Sequence, residues 1–370
     1  FRSMQITAWS SGFESATATT NMVNYAYSCN LNCVMPEVRL RADAYYNSAY
    51  EPPGTGVTPN PAGFDSLADV ITKAHALGIE VHPWVVTFRI WTTADGPGMG
   101  IPDHLWWTHG PGNTDPNEDW LMYSDTGQWN YGGVSNLDPG HPDVEEYLIN
   151  VFMDIVRNYD VDGLNLDYIR YPATNWGYNP VSVARFNAEY GRTGNPSSTD
   201  STWQNWRRDQ ISNLVKRLYL EIKAEKPWVK LSADVWNSWS TGNSSYLQDW
   251  NKWMQNHWID FVHPMSYTGN NTTYQNWLND YLNRQHGRHV YPLVDASNDI
   301  NGNVLPQIGM TRSTGFSGTG LYAYNSIPNK SALQAALVAG PFQSSVSTPN
   351  MPWINSPTLG MLKGKIRNAA

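Results

Sequence analysis

Short apolar runs alternate with longer amphipathic stretches along most of the chain. Runs of β-branched and other apolar residues predict strands, and apolar residues recurring every three or four positions predict helices. The stretch 142–159 is typical of a helix, because Pro142 lies in its first turn and Asp143 and Glu145 follow. Strands are predicted over 5–9, 32–39, 80–87, 163–167, 230–235, 261–265, 289–295 and 319–324. Helices are predicted over 16–29, 64–77, 142–159, 202–226, 246–255, 274–286, 305–314 and 330–339.

This alternation predicts the fold. Strands that alternate with helices form a parallel sheet, and eight such units close into a barrel. We therefore predict an α/β fold, a single (β/α)8 TIM barrel over residues 1–340. A doubly wound open sheet is the alternative, but the sequence lacks its glycine-rich phosphate loops. Residues 341–370 are rich in Pro and Ser, which predicts a linker or the start of a truncated β-rich module.

The spacing of the predicted strands indicates where the long loops lie. The extra residues follow strands two, three and four, in the segments 45–62, 90–142 and 173–201. Loops that follow strands lie at the carboxyl-terminal end of a barrel, where barrel enzymes have their sites. We therefore predict a groove with long loops on one side and an open opposite side, a shape that suits a polymer.

Composition narrows the choice of partner. The 370 residues carry a net charge of −8 and include 18 Trp, 21 Tyr and 9 Phe. The acidic balance argues against nucleic acid as a partner, and no apolar stretch is long enough to span a membrane. Flat aromatic faces stack on sugar rings, so this composition indicates a polysaccharide or oligosaccharide partner and a secreted or cell-surface protein. A Trp-rich core is the alternative reading.

Three carboxylates are predicted to end strands at one rim of the barrel. Asp167 ends strand four in VDGLNLDYIRYP, Asp234 ends strand five in KLSADVW, and Asp295 ends strand seven in YPLVDAS. Glycoside hydrolysis requires one ionised and one protonated acid, and crowding of like charges separates their pKa values. We predict Asp167 as the nucleophile, Asp234 as the acid/base and Asp295 as a third carboxylate. A structural role for Asp295 and an ion pair of Asp167 with Arg170 stay open.

Other polar and aromatic residues are predicted to converge on the same rim. The candidates for substrate binding are Arg39, Trp84, Arg89, Arg170, Tyr171, Trp236, His263, Tyr267 and Tyr324. Arg39 is expected to hold a catalytic carboxylate ionised, and His263 is either a ligand of a sugar hydroxyl or a hydrogen-bonded rim residue. His104 and His109 do not fit a zinc spacing, so neither a metal nor a cofactor is predicted.

The motifs resemble those of a known family, the bacterial glycosyl-hydrolase-like family ten proteins, which are secreted (β/α)8 barrels. The resemblance rests on FRSMQITAW, VRLRADAYY, GIEVHPWVVTFR, DVDGLNLDYIRYP, IDFVHPMSY and TGFSGTGLYAYNS. It implies a glycan-cleaving barrel in which Asp167 is the carboxylate of strand four. It also implies pocket roles for Arg39, Asp43, Tyr45, Trp84 and Arg89. Here Tyr168 stands where many members of the family have a second acid.

The sequence thus leads to one main functional hypothesis, an endo-acting and retaining glycoside hydrolase. Two alternatives remain at this stage. One is a non-catalytic glycan-binding barrel, and the other is a polysaccharide lyase or deacetylase, for which Arg39, Arg89, Arg170 and His263 are the relevant residues.

Overall fold

The computed structural model describes residues 1–56, 58–93, 95–97, 101, 103–111, 113, 115, 117–357 and 360. Its strands are β1 (Arg2–Ile6), β2 (Cys33–Arg39), β3 (Glu80–Val81), β4 (Trp84–Val86), β5 (Arg89–Trp91), β6 (Ser135–Asn136), β7 (Gly163–Asp167), β8 (Lys230–Val235), β9 (Phe261–Pro264), β10 (His289–Val290), β11 (Leu293–Asp295) and β12 (Thr319–Tyr322). Its helices are α1 (Ala16–Ser28), α2 (Ser66–His75), α3 (Leu105–His109), α4 (Pro142–Asn158), α5 (Pro180–Tyr190), α6 (Ser201–Glu225), α7 (Trp239–Ser245), α8 (Trp250–Gln255), α9 (Asn271–Leu282), α10 (Leu305–Ser313), α11 (Lys330–Ala339) and α12 (Pro352–Asn355).

The main sheet is parallel and curls back on itself. Its strand order is β10-β9-β8-β7-β4-β2-β1-β12-β11, and β3 pairs with β2. The two outer strands of this order, β10 and β11, are successive parts of residues 289–295, and a bridge from Met265 to Leu293 adds a further link. The predicted α/β class is therefore confirmed, with a curled parallel sheet at its centre.

Proline interrupts two of the predicted strands. Pro83 separates β3 from β4, and Pro292 separates β10 from β11, because proline has no N–H to give to the ladder. Both proline carbonyls still accept hydrogen bonds from the neighbouring strand, from the N–H of Asn165 at 2.8 Å and of Gly320 at 3.0 Å. The strands β3 and β4 therefore lie within the predicted strand 80–87, and β10 and β11 lie within the predicted strand 289–295.

Further differences from the sequence prediction lie at strand and helix ends, in the unpredicted helix α7, and in the long loops. Strand β1 ends at Ile6 rather than at residue 9, and β12 ends at Tyr322 rather than at residue 324. The loop that follows β4 contains the antiparallel pair β5–β6 and helix α3, and the loop that follows β7 contains α5. None of these four elements was predicted, since short elements lack a clear period.

The segment that follows α11 packs on the amino-terminal end of the sheet. The carbonyls of Phe342, Ser344 and Val346 accept hydrogen bonds from side chains near β1 and β2. Met351 packs with Phe1 in one apolar cluster, and the Trp353 indole donates to Asp260 at 2.8 Å. Residues 342–355, predicted as part of a linker or module, therefore cover the floor of the sheet. Residues 361–370 lie outside the described residues.

Two further features of the fold concern the cysteines and the length of the helices. Cys29 and Cys33 are both buried and are not joined by a disulfide bond. Among the helices of the described residues, none has the length and apolar character needed to cross a membrane.

Candidate active site

Two aspartates lie side by side at the carboxyl-terminal end of the sheet. Asp167 is the last residue of β7, and Asp234 is the penultimate residue of β8. The two strands pair Asn165 with Ser232 and Leu166 with Ala233, so the aspartates stand at the next pair of positions. Both aspartates face the interior of the curled sheet, as do Asn165 and Ser232, whose side chains share a hydrogen bond of 2.8 Å.

Asp167 has several contacts that stabilise its ionised form, although burial keeps its pKa above the ordinary value. The Trp84 indole donates to Oδ2 at 3.2 Å, and the N–H of Tyr168 donates to Oδ1 at 2.6 Å. An Nη1 atom of Arg170 lies 3.6 Å from Oδ1. Burial raises the pKa of Asp167, but Arg170, the Tyr168 N–H and Arg89 all oppose that rise. The ion pair with Arg170 is thus present, and the positive charge of Arg170 stabilises the ionised carboxylate.

The surroundings of Asp234 favour its protonated form. Only the neutral amide of Gln5 donates to its Oδ2, at 2.7 Å, and Oδ1 has no hydrogen-bond partner among the described residues. Burial raises the pKa of Asp234 well above its usual value, and the charge of Asp167 raises it further. Because the two environments separate the pKa values, one acid is suited to attack and the other to donate a proton.

A third buried carboxyl, Glu37, belongs to this site and was not predicted. It lies on β2 opposite Trp84, and its Oε2 accepts the N–H of Ala8 at 2.8 Å. Its Oε1 is buried and has no partner among the described residues. Burial raises the pKa of Glu37 to about 8, and the charge of Asp167 adds to the rise. The signal in the sequence was the alternation of inward residues along β2, which places Glu37 on the same face as Met35.

Glu37 predicts a specific dependence of stability on pH. The folded protein keeps this proton up to about pH 8, whereas the unfolded chain loses it near the ordinary value of 4.5. Stability is therefore lost as the pH rises between these values, by about 3 kcal/mol at pH 7. Glu37→Gln removes the titrating group, so it should raise the free energy of unfolding at pH 7 and change it little at pH 4. Urea denaturation at both pH values measures the difference.

Glu14 provides the control with the opposite sign. Burial alone would raise its pKa, but hydrogen bonds from Ser11 and from backbone N–H groups lower it below the ordinary value. Glu14→Gln should therefore reduce stability at pH 7. If Glu37→Gln has the same effect on stability at both pH values, Glu37 is not protonated in the native state at neutral pH.

Aromatic and cationic side chains surround the two aspartates. The ring of Tyr168, whose φ of 49° is left-handed, lies between the guanidinium carbons of Arg89 and Arg170, at 3.9 and 4.4 Å from the ring centroid. Arg170 also lies 5.6 Å from the ring of Trp236. The ring of Tyr267 stacks on that of Tyr322 at 4.9 Å. Burial and then the charge of Asp234 raise the pKa of Tyr267, which places its hydroxyl near the acid pair.

Most of this chain matches a known protein family. The profile of the glycosyl hydrolase-like 10 family matches residues 2–294. The chain belongs to this family. The family resemblance predicted from the motifs is therefore confirmed.

Relatives of the chain carry glycosyl hydrolase names. Glycosyl hydrolase YngK of Bacillus subtilis is 26% identical over 363 residues, which cover 88% of this chain and 66% of that protein. Glycosyl hydrolase DigH of Escherichia coli K12 is 25% identical over 228 residues, which cover 58% of this chain and 48% of that protein. The chain therefore spans less than two thirds of the length of these relatives.

Solved structures of glycoside hydrolases share the fold. The glycoside hydrolase domain of PgaB (BpsB) from Bordetella bronchiseptica superposes with a TM-score of 0.67 at 14% identity, covering 94% of this chain and 99% of that chain. The catalytic domain of β-amylase from Paenibacillus polymyxa superposes with a TM-score of 0.63 at 12% identity, covering 92% and 96%. At these identities the likeness is one of fold.

Three residues to which the family resemblance gave pocket roles lie at the end of β2 and in the loop after it. A bulge between Glu37 and Arg39 turns Arg39 away from the interior. Arg39 instead donates to both carboxylate oxygens of Glu51 at 2.7 to 2.9 Å and to two carbonyls of residues 86–87. The expectation that Arg39 orients a catalytic acid is therefore wrong. Asp43 accepts backbone N–H groups of this loop, and the Tyr45 hydroxyl accepts another at 2.6 Å.

Two further candidates lie away from the rim. Tyr171 is completely buried beside the guanidinium of Arg207, because the chain turns inward after β7. Tyr324 follows the end of β12 and packs against Tyr25 and Lys330 on the outside of the sheet. Neither side chain faces the acid pair, so their predicted roles in substrate binding are not met.

His263 occupies a position that differs from the prediction, whereas Asp295 ends its strand as predicted. His263 is buried low in the interior, where its ring lies 5.9 Å from that of Phe1 and its Nδ1 contacts the Tyr291 carbonyl at 2.7 Å. Burial lowers its pKa to about 3, so the imidazole is neutral and is no rim residue. Asp295 does end β11, but its Oδ1 accepts the N–H and hydroxyl of Ser297 at 2.9 and 2.6 Å. That pattern is typical of a residue that ends a strand and starts a turn.

Within the residues that the structure describes, no three His, Cys, Asp or Glu side chains lie close enough together to hold a metal ion.

Proposed function

We propose that this chain is an endo-acting glycoside hydrolase, built on a barrel of eight βα units, that cleaves a polysaccharide with Asp167 and Asp234. One observation carries the proposal. The two buried aspartates stand on neighbouring strands, where cationic and N–H groups limit the rise in the pKa of Asp167 while burial and Asp167 raise the pKa of Asp234 well above its usual value. Membership in the glycosyl hydrolase-like 10 family and the shared fold of glycoside hydrolases support it.

The proposed reaction has two steps. Asp234 gives its proton to the glycosidic oxygen while Asp167 attacks the anomeric carbon, so the old bond breaks as a glycosyl-aspartate ester forms. Asp234 then accepts a proton from water, whose oxygen displaces Asp167. Neighbouring strands lie about 4.8 Å apart, which supports the carboxyl separation of about 5–5.5 Å that retaining enzymes use.

The loops at the carboxyl-terminal end of the sheet support a polymeric substrate. Tyr50 lies in the loop after β2, and Trp107 and Tyr131 lie in the loop after β4, and all three are exposed. Such residues are suited to stack on sugars on either side of the acid pair. Extracellular polysaccharides can reach only secreted or cell-surface proteins, so we propose that location.

The release of reducing ends tests this proposal. Wild-type protein and the double variant Asp167→Asn, Asp234→Asn are incubated with a panel of bacterial, algal and plant polysaccharides. We expect release by wild type from at least one polymer and none by the double variant. Proton NMR of the first product should show retention of the anomeric configuration.

Other outcomes would lead to the alternatives. Products that absorb in the ultraviolet would identify a lyase, and acetate without new reducing ends would identify a deacetylase. Binding to a polymer without any release, equal in wild type and double variant, would identify a glycan-binding barrel. Equal release by both proteins would contradict the roles of Asp167 and Asp234.

A further inference from the structure

Trp9 is an exposed aromatic residue at the rim that the mechanism does not use. It follows β1 at the carboxyl-terminal end of the sheet, and 50% of its surface is exposed. Single exposed apolar residues are common on protein surfaces, so exposure alone carries no argument. The way in which the chain holds Trp9 is the informative feature.

Hydrogen bonds fix the backbone on both sides of Trp9. Asn325 accepts the N–H of Thr7 at 2.9 Å and donates to the carbonyls of Ser10 and Ser11 at 3.2 and 2.7 Å. The N–H of Ala8 donates to Glu37, inside the active site. The segment 7–11 is therefore held rigidly, and its one large apolar side chain is presented to solvent. A rigid aromatic surface binds with little loss of conformational entropy.

The strand order sets the distance of Trp9 from the reaction. Strand β1 is separated from β7 by β2 and β4, so three strand spacings lie between Trp9 and Asp167 along the sheet. Three such spacings amount to about 14 Å measured around the curve of the sheet, so Trp9 lies on a different part of the rim from Asp167. Trp9 is thus suited to a sugar of the same polymer that lies beyond the one on which the acids act.

We propose that Trp9 is a binding platform for a neutral sugar face at a remote subsite of the groove. The indole ring stacks on the C–H face of a sugar in the polymer, and it contributes to affinity rather than to bond cleavage. This proposal rests on the proposed function for the polymer but can be tested by binding alone.

The test uses affinity electrophoresis of the inactive variant Asp167→Asn. Native gels contain glycol chitin, barley β-glucan, galactomannan, xylan or alginate. We expect at least one neutral polymer to retard Asp167→Asn, and the added change Trp9→Ala to weaken that affinity about tenfold. Trp9→Phe should restore most of it. In the wild-type background, Trp9→Ala should raise KM for that polymer and leave kcat unchanged.

Trp228 provides the matched control. It is 56% exposed, but it precedes β8 at the opposite, amino-terminal end of the sheet. Trp228→Ala should leave the affinity unchanged. The platform would be overturned if the Trp9→Ala variant bound as tightly as its parent. It would also be overturned by an equal loss of affinity in Trp228→Ala, or if none of the five polymers retarded the parent. Cleavage by wild type with no effect of Trp9→Ala would overturn the platform alone, and binding through Trp9 without cleavage would overturn the hydrolase alone.

Discussion

Asp167→Asn is expected to reduce kcat by at least about 10³-fold and to change the affinity for polymer only slightly. An amide has nearly the shape of the carboxylate, and its oxygen can still accept one of the two hydrogen bonds that Trp84 and Tyr168 donate. It has no charge to stabilise the developing cation, and it is a poor nucleophile. Turnover is measured by reducing-end release, and affinity by affinity electrophoresis.

Asp162→Asn is the matched control for this prediction. Asp162 directly precedes β7, at the opposite end of the strand from Asp167, and its Oδ2 accepts the N–H of Val81 at 2.8 Å. Its replacement should lower stability but leave kcat per folded molecule unchanged. A folded Asp167→Asn variant that turns over within tenfold of wild type would contradict the role of Asp167.

Asp234→Asn is expected to reduce kcat on polymer by about 10²–10⁴-fold, because the leaving sugar then departs without a proton. A dinitrophenyl glycoside of the released sugar has a leaving group that needs no proton, so its cleavage should fall much less. Wild-type activity should also decline at high pH as Asp234 loses its proton, since burial and Asp167 hold its pKa well above the usual value. Profiles of kcat/KM against pH for both proteins measure this.

The pKa of Asp234 should also depend on the charge of Asp167. The charge of Asp167 raises the pKa of Asp234. In Asp167→Asn the pKa of Asp234 should therefore fall, which carbon-13 NMR of labelled Asp can detect. An equal loss of activity on polymer and on the dinitrophenyl glycoside in Asp234→Asn would show that Asp234 is not the proton donor.

Periodicity and strand ends were enough to predict much of the fold and part of the site. The predicted strands over 163–167 and 230–235 coincide with β7 and β8, because apolar and polar residues alternate with period two along both segments. The carboxyl ends of neighbouring parallel strands meet at one edge. Asp167 and Asp234 could therefore be placed together from their positions alone.

Local backbone geometry explains what the sequence could not predict. Strict alternation along β2 would point Glu37 and Arg39 to the same face, but the bulge between them sends Arg39 to Glu51 and leaves Glu37 inside. A bulge has no clear sequence signature. The register of Gln5 opposite Met35, which faces it toward Asp234, also depends on pairing that a single sequence does not reveal.

The pairing of β1 has a consequence for the way in which this chain folds. Arg2 lies opposite Thr319, so the pairing of β1 with β12 joins strands that are far apart in the sequence. During synthesis, β1 has β2 as a neighbour long before β12 emerges from the ribosome. One edge of β1 therefore stays unpaired until β12 is made. Closure of the long loop between β1 and β12 is slow. In that interval the open edge is free to pair with other chains, which makes dilute, slow refolding the favourable route to native protein.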